Sequence, residues 1–178
     1  IVICLFANRT SYVRYVAEHA PAGVNRRALF VKGEDAGFVY VYRHTGFETD
    51  LRHEVTHAIL HSMLPFLPLW LDEGLAEYFS RSIPLKNGAV FGTPVASFLQ
   101  ELQNEEWIPL PRLLSAKRES EMIVHPTFYA QCWLMMHWHA SEFGPAELPR
   151  YENLERRLAD EGNANLETRL REHLESLL

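Results

Sequence analysis

The sequence predicts an α+β fold, a small N-terminal β-sheet followed by a mainly helical C-terminal part, and three observations carry that prediction. Short runs rich in Val, Ile, Phe and Tyr fall at 1–7, 27–32 and 37–43, the pattern of strands. The stretch LRHEVTHAILHSML at 51–64 has helical rather than alternating periodicity. Beyond it, PTFYAQCWLMMHWHASE at 126–142 is apolar nearly all round, and Leu154, Leu158, Leu166, Leu170, Leu174 and Leu177 recur at helical spacing among charges.

The elements follow in order. Residues 1–7 read as a buried strand, and Asn8 to Ser11 supply capping residues for a helix that runs to His19 before Pro21 and Gly23. Strands at 27–32 and 37–43 are separated by a turn at Gly33, Glu34 and Asp35. Thr49 or Asp50 is the expected N-cap of the next helix. Pro65 and Pro68 break that helix and redirect the chain into a second one, LWLDEGLAEYF at 69–79, in which Trp70, Leu75, Tyr78 and Phe79 read as core. A turn through Pro84, Asn87 and Gly88 leads to a short helix at 94–104, then to loop with helical pieces at 105–124. The apolar helix ends at Gly144 and Pro145, and amphipathic helices close the chain.

At 178 residues the chain reads as one domain, 1–178, with the sheet and first motif helix in 1–64 and the helical part in 65–178. A net charge of −6 without a Lys/Arg cluster argues against nucleic acid as a partner. No apolar run approaches the ~18 residues of a transmembrane helix. The chain opens directly on a strand without Met, so a domain excised from a longer protein is expected. Compartment stays open, with an extracytoplasmic or cell-envelope location following if the parent carries a signal sequence. Cys4 and Cys132 match no zinc or redox spacing and read as buried free thiols.

The chemistry sits in HEVTH. Positions four apart on a helix stand on one face, so His53 and His57 can hold one metal ion. At about 100° per residue, Leu51, Val55, Ala58, Ile59 and Met63 share an arc of roughly 140°, with His53, His57 and His61 opposite. Glu54 lies at the border, where a general base belongs. In the second helix Glu73 can supply a third ligand, with Glu77 the alternative, and Glu77 or Asp72 can orient a ligand histidine. Glu77 is favoured for that role because it lies one turn beyond Glu73. His61 reads as a cleft or surface residue, and His137 and His139 as packing residues. Two imidazoles and one carboxylate suit one Zn2+ and leave a position open, as catalytic sites do.

HExxH followed by WLDEGLAEYF resembles the gluzincin zinc metallopeptidases, in particular the bacterial peptidase MA-like domain and, more distantly, aminopeptidase-N-like and thermolysin-like enzymes. The resemblance is strongest over 49–80. It implies a zincin-like fold, a single zinc ion and hydrolysis of a peptide or protein substrate. It also implies an edge strand that pairs with extended substrate, expected here at 37–43. YAQC at 129–132 is similar to the YxxG(A/S) segment of aminopeptidase-N-like enzymes, with Cys132 in place of the small residue. That likeness implies that Tyr129 stabilises the oxyanion, against a plain reading as a core tyrosine; His125 is the other candidate donor. No GxMEN-type segment occurs, so an endopeptidase is favoured over an aminopeptidase. Two other readings stay open: a noncatalytic peptide- or partner-binding module on this fold, and a metal-dependent amidase with a nonpeptide substrate.

Overall fold

The structure is a computed structural model that describes residues 1–64, 66–144, 156 and 162–178. Pro65, Pro145 and the helix expected around Leu154 and Leu158 lie outside the described residues. The fold is mixed α+β, and the chain divides into two compact units, Ile1–Phe66 and Leu67–Leu178.

The first unit contains β1 (Val2–Phe6), α1 (Arg9–His19), a 3-10 turn at Pro21–Gly23, β2 (Ala28–Lys32), β3 (Gly37–Tyr42) and α2 (Phe47–Met63). Asn8 caps α1 as expected, its Oδ1 accepting the Ser11 amide at 3.0 Å. The sheet order is β1-β3-β2, with β1 parallel and β2 antiparallel to β3. The expectation that the 37–43 strand is an edge is therefore wrong: β3 is central, with both sides of its backbone engaged in pairing. The edges are β1 and β2, and at its edge β1 leaves Val2, Ile3 and Leu5 exposed, so the expectation of a buried strand at 1–7 is wrong as well.

Alternation along β3 explains the layering. Tyr40 and Tyr42 pack on Tyr12 and Val16 of α1, joined by Cys4 and Phe6 of β1. Val39 and Val41 point the other way and are fully buried, and α2 lies against β2 and β3. A three-stranded sheet covers only part of α2. Of the five apolar residues expected on its buried arc, only Ala58 is buried, while Ile59 and Met63 are exposed.

The N-cap expectation for α2 is also overturned. The helix starts at Phe47 after Gly46, which adopts the left-handed conformation at φ 86°, so Thr49 and Asp50 lie inside the first turn. Asp50 instead pairs with Arg27, Nε to Oδ2 at 2.9 Å and Nη2 to Oδ1 at 3.0 Å. That fork ties the start of α2 to the residue preceding β2.

In the second unit come α3 (Leu69–Ser80), a hairpin of β4 (Ile83–Leu85) and β5 (Gly88–Val90), α4 (Ala96–Asn104), α5 (Leu110–Ser115), α6 (Glu119–Met122), α7 (Phe128–Phe143) and α8 (Asn163–Ser176). The hairpin was legible only as a turn, because its three-residue strands are exposed throughout and show no inward face. The central helix is α7, packed by α3, α4 and α8. Its one buried side-chain amide is engaged at both ends: Gln131 Oε1 accepts the Ile108 amide at 2.8 Å and Nε2 donates to the Ile108 carbonyl at 3.0 Å. Leu166, Leu170 and Leu174 form the buried stripe of α8. Both cysteines are free, Cys132 buried and Cys4 partly so. Among the described residues no helix is long and apolar enough to cross a membrane.

Candidate metal centre

The chain carries histidine and acidic groups that could hold a metal ion. In the first unit, the uninterrupted helix from Phe47 to Met63 stacks His53 over His57, as the four-residue spacing dictates. Their Nε2 atoms lie 3.0 Å apart, and the rings meet edge to face at 4.7 Å between centroids. Two ring nitrogens at that separation can share one proton or converge on one ion. His57 is buried and His53 half-buried, so the pair is reachable yet shielded on one side. His61, one turn on, faces His57 at 6.2 Å and meets the Phe30 ring edge to face at 5.5 Å. It lines a surface depression of about 390 Å³ with Phe30, Lys32, Gly37, Ala58 and Ser62.

Glu54 leaves the histidine face, as its position in the helix requires, and reaches β2. Its Oε2 accepts the backbone N–H of Phe30 at 2.7 Å. This contact was not foreseen from the sequence, because it depends on which β2 amides point away from β3. Nearby, Tyr12 has its hydroxyl pKa pushed up to about 12, first by burial and then by the charge of Glu54. Tyr12 therefore keeps its proton, which it donates to the Gly23 carbonyl at 3.2 Å.

In the second unit α3 presents Glu73 and Glu77 one turn apart, both buried, and Asp72 half-buried in the first turn. Gly74 is the reason the glutamates sit so deep. A Cβ there would lie 2.7 Å from the Cys132 carbonyl oxygen and 2.8 Å from Met136 Cγ, so only glycine lets α3 approach α7 this closely. The Cys132 thiol is pushed well above its usual pKa by burial, with the charges of Glu73 and Glu77 adding to the effect. It is a packing thiol. Glu77 is held by Arg81, whose Nε and Nη2 donate to Oε2 at 3.2 and 3.0 Å. The Glu-to-Arg spacing of four residues was a legible signal for that pair.

Tyr129 is half-buried on α7, and its hydroxyl donates to Glu119 Oε1 at 2.6 Å. Glu119 had carried no role in the sequence reading. His125 sits just before α7, its amide bonded to the Met122 carbonyl at 2.9 Å. His139 is buried in α7, whereas His137 is half-buried with Nδ1 2.8 Å from His173 Nε2. Trp70, Leu75 and Tyr78 are core as expected, but Phe79 is only partly buried.

Compared with known proteins, the chain matches no family model, no curated protein and no solved structure.

Proposed function

We propose that this chain is a zinc-dependent peptidase of the zincin-like, gluzincin type, an endopeptidase rather than an aminopeptidase. The observation that carries the reading is the convergence of the His53 and His57 ring nitrogens beside a tethered Glu54 on one helix. The donor types fit zinc: two neutral imidazoles from α2 and a carboxylate, a third-ligand role that the sequence motif assigns to Glu73. A zinc ion bound there supplies Lewis-acid polarisation of a carbonyl and lowers the pKa of water toward about 7.

The remaining roles belong to the protein. Glu54 takes the proton of the attacking water and hands it to the leaving amine. Tyr129 is the candidate oxyanion donor once its hydroxyl turns from Glu119, with His125 the alternative. Glu77, held by Arg81, and Asp72 are the candidate partners that orient a ligand histidine. An extended peptide substrate adds along the β2 edge, the edge nearest Glu54.

The test is metal analysis of purified protein with cleavage of a peptide library. Zinc at one ion per chain, lost in His53→Ala and His57→Ala, and cleavage lost in Glu54→Gln with zinc retained, is the expected result. Protein that binds no zinc, or cleaves equally well with Gln at position 54, defeats the reading. Tight peptide binding without turnover in zinc-loaded protein would instead identify a binding module.

A further inference from the structure

In an antiparallel pair the backbone N–H and C=O of successive residues point alternately toward the partner strand and away from it. Phe30 lies opposite Val39 in the β2–β3 register, and its N–H goes to Glu54, so this residue belongs to the outward-pointing set of the β2 edge. A carboxylate swings about its terminal torsion unless one oxygen is anchored, because that torsion is broad and soft. Here Oε2 is anchored at 2.7 Å, the short end of the range for a charged acceptor. The donor is rigid, being part of a strand paired along its other side. The Phe30 ring is fixed as well: it lies against His61, and a side chain at Gly37 would run into it at 2.9 Å.

We propose that the backbone amide of Phe30 is a positioning group for Glu54, fixing the plane of the candidate base. The proposal rests on the reading of Glu54 as general base. It adds that the edge strand holds the base as well as offering a place for substrate to pair. It also limits how substrate docks: while Glu54 occupies the Phe30 N–H, an added strand must find its hydrogen bonds at other outward groups of β2.

The strand position makes the test practicable. Proline is tolerated on an edge strand where the N–H does not serve the ladder, so Phe30→Pro removes this donor and leaves the pairing with β3. Phe30→Ala keeps the amide and removes only the ring. Replacing Phe30 by its α-hydroxy analogue keeps the ring and turns the amide into an ester, which covers the case in which the proline variant fails to fold. Expected for the proline and ester forms is a loss in kcat of about 10- to 100-fold, the scale of a misplaced catalytic group, with KM within about twofold. The loss in Phe30→Ala should be at least about tenfold smaller than in Phe30→Pro, and zinc affinity should match the parent in all three. A readout that needs no activity is the residue-30 amide proton in metal-free protein, followed by NMR: Glu54→Ala should move it upfield. Unchanged kcat in the ester form, or an amide resonance indifferent to Glu54→Ala, overturns the proposal. A parent protein that binds zinc yet cleaves nothing overturns the peptidase reading instead.

Discussion

The two helices that carry the motif residues contrast in how they are embedded. Along α2 only His57 and Ala58 are buried, and both Ile59 and Met63 are exposed. Along α3 almost every side chain is enclosed, including the two glutamates. A half-open helix can display imidazoles and accept their exchange at little structural cost. A buried carboxylate is different, since a buried charge is costly unless compensated and its neighbours are packed to fit. Substitutions on α2 should therefore act on chemistry with little effect on folding, whereas those on α3, the proposed ligand Glu73 included, should cost folding as well.

The sharpest test on the α2 side is Glu54→Gln. Loss of a general base typically costs 10²- to 10⁴-fold in rate, so peptide hydrolysis should fall by about that factor, with an unchanged thermal midpoint and zinc content. A fall in stability as large as that in activity would erase the contrast. On the α3 side the matching experiment is Gly74→Ala. Overpacking the α3–α7 contact should destabilise the protein by about 1–3 kcal/mol in urea denaturation, because the added methyl meets backbone that cannot give way.

Acid supplies a third test, confined to the second unit. Burial, followed by the neighbouring His173, pushes the His137 pKa down to about 4, and burial lowers that of His173 as well, against the opposing pull of Glu142. The groups facing this pair include Tyr78, Trp133, Glu142, Arg169 and Glu172. With folded values below unfolded ones, the unfolded chain binds more protons in acid. Stability contributed by the pair is thus present above about pH 6.5 and is lost as pH falls toward about 4. For half-exposed rings the loss should be on the order of 1–2 kcal/mol after solvent screening, read in metal-free protein so that zinc release does not contribute. His173→Gln should flatten that slope. The smallest effect is expected at Asn8→Ala, about 1 kcal/mol for loss of the α1 cap with no change in metal binding.

Much of the fold was legible because its signals are local. The strand runs before position 44, the Asn8 cap, the apolar α7 and the leucine stripe of α8 each depend on neighbours a few residues away. The misread features share another character. Whether 37–43 is central or at an edge depends on where β1 returns, and that is a property of topology. The start of α2 was set by the left-handed turn at Gly46, where side-chain capping preference had pointed to Thr49 or Asp50. The β4–β5 hairpin lacks the alternation that marks a half-buried strand.

For the candidate site the division is similar. His53 stacks on His57 because a helix repeats every 3.6 residues, and the sequence alone determines that once the helix is granted. It also determines the chemical types on offer, two imidazoles with a carboxylate between them and three carboxylates, Asp72, Glu73 and Glu77, on the following helix. What only the tertiary structure decided is the company those groups keep. Phe30 lies twenty-four residues from Glu54 and bonds to it because the β2 edge happens to present that amide. Glu73 is buried because Gly74 brings α3 against α7, and Tyr129 meets Glu119 across a loop and a short helix. Side-chain periodicity is written residue by residue, whereas the pairing of distant groups depends on how whole elements pack, and that is settled only when the chain has folded.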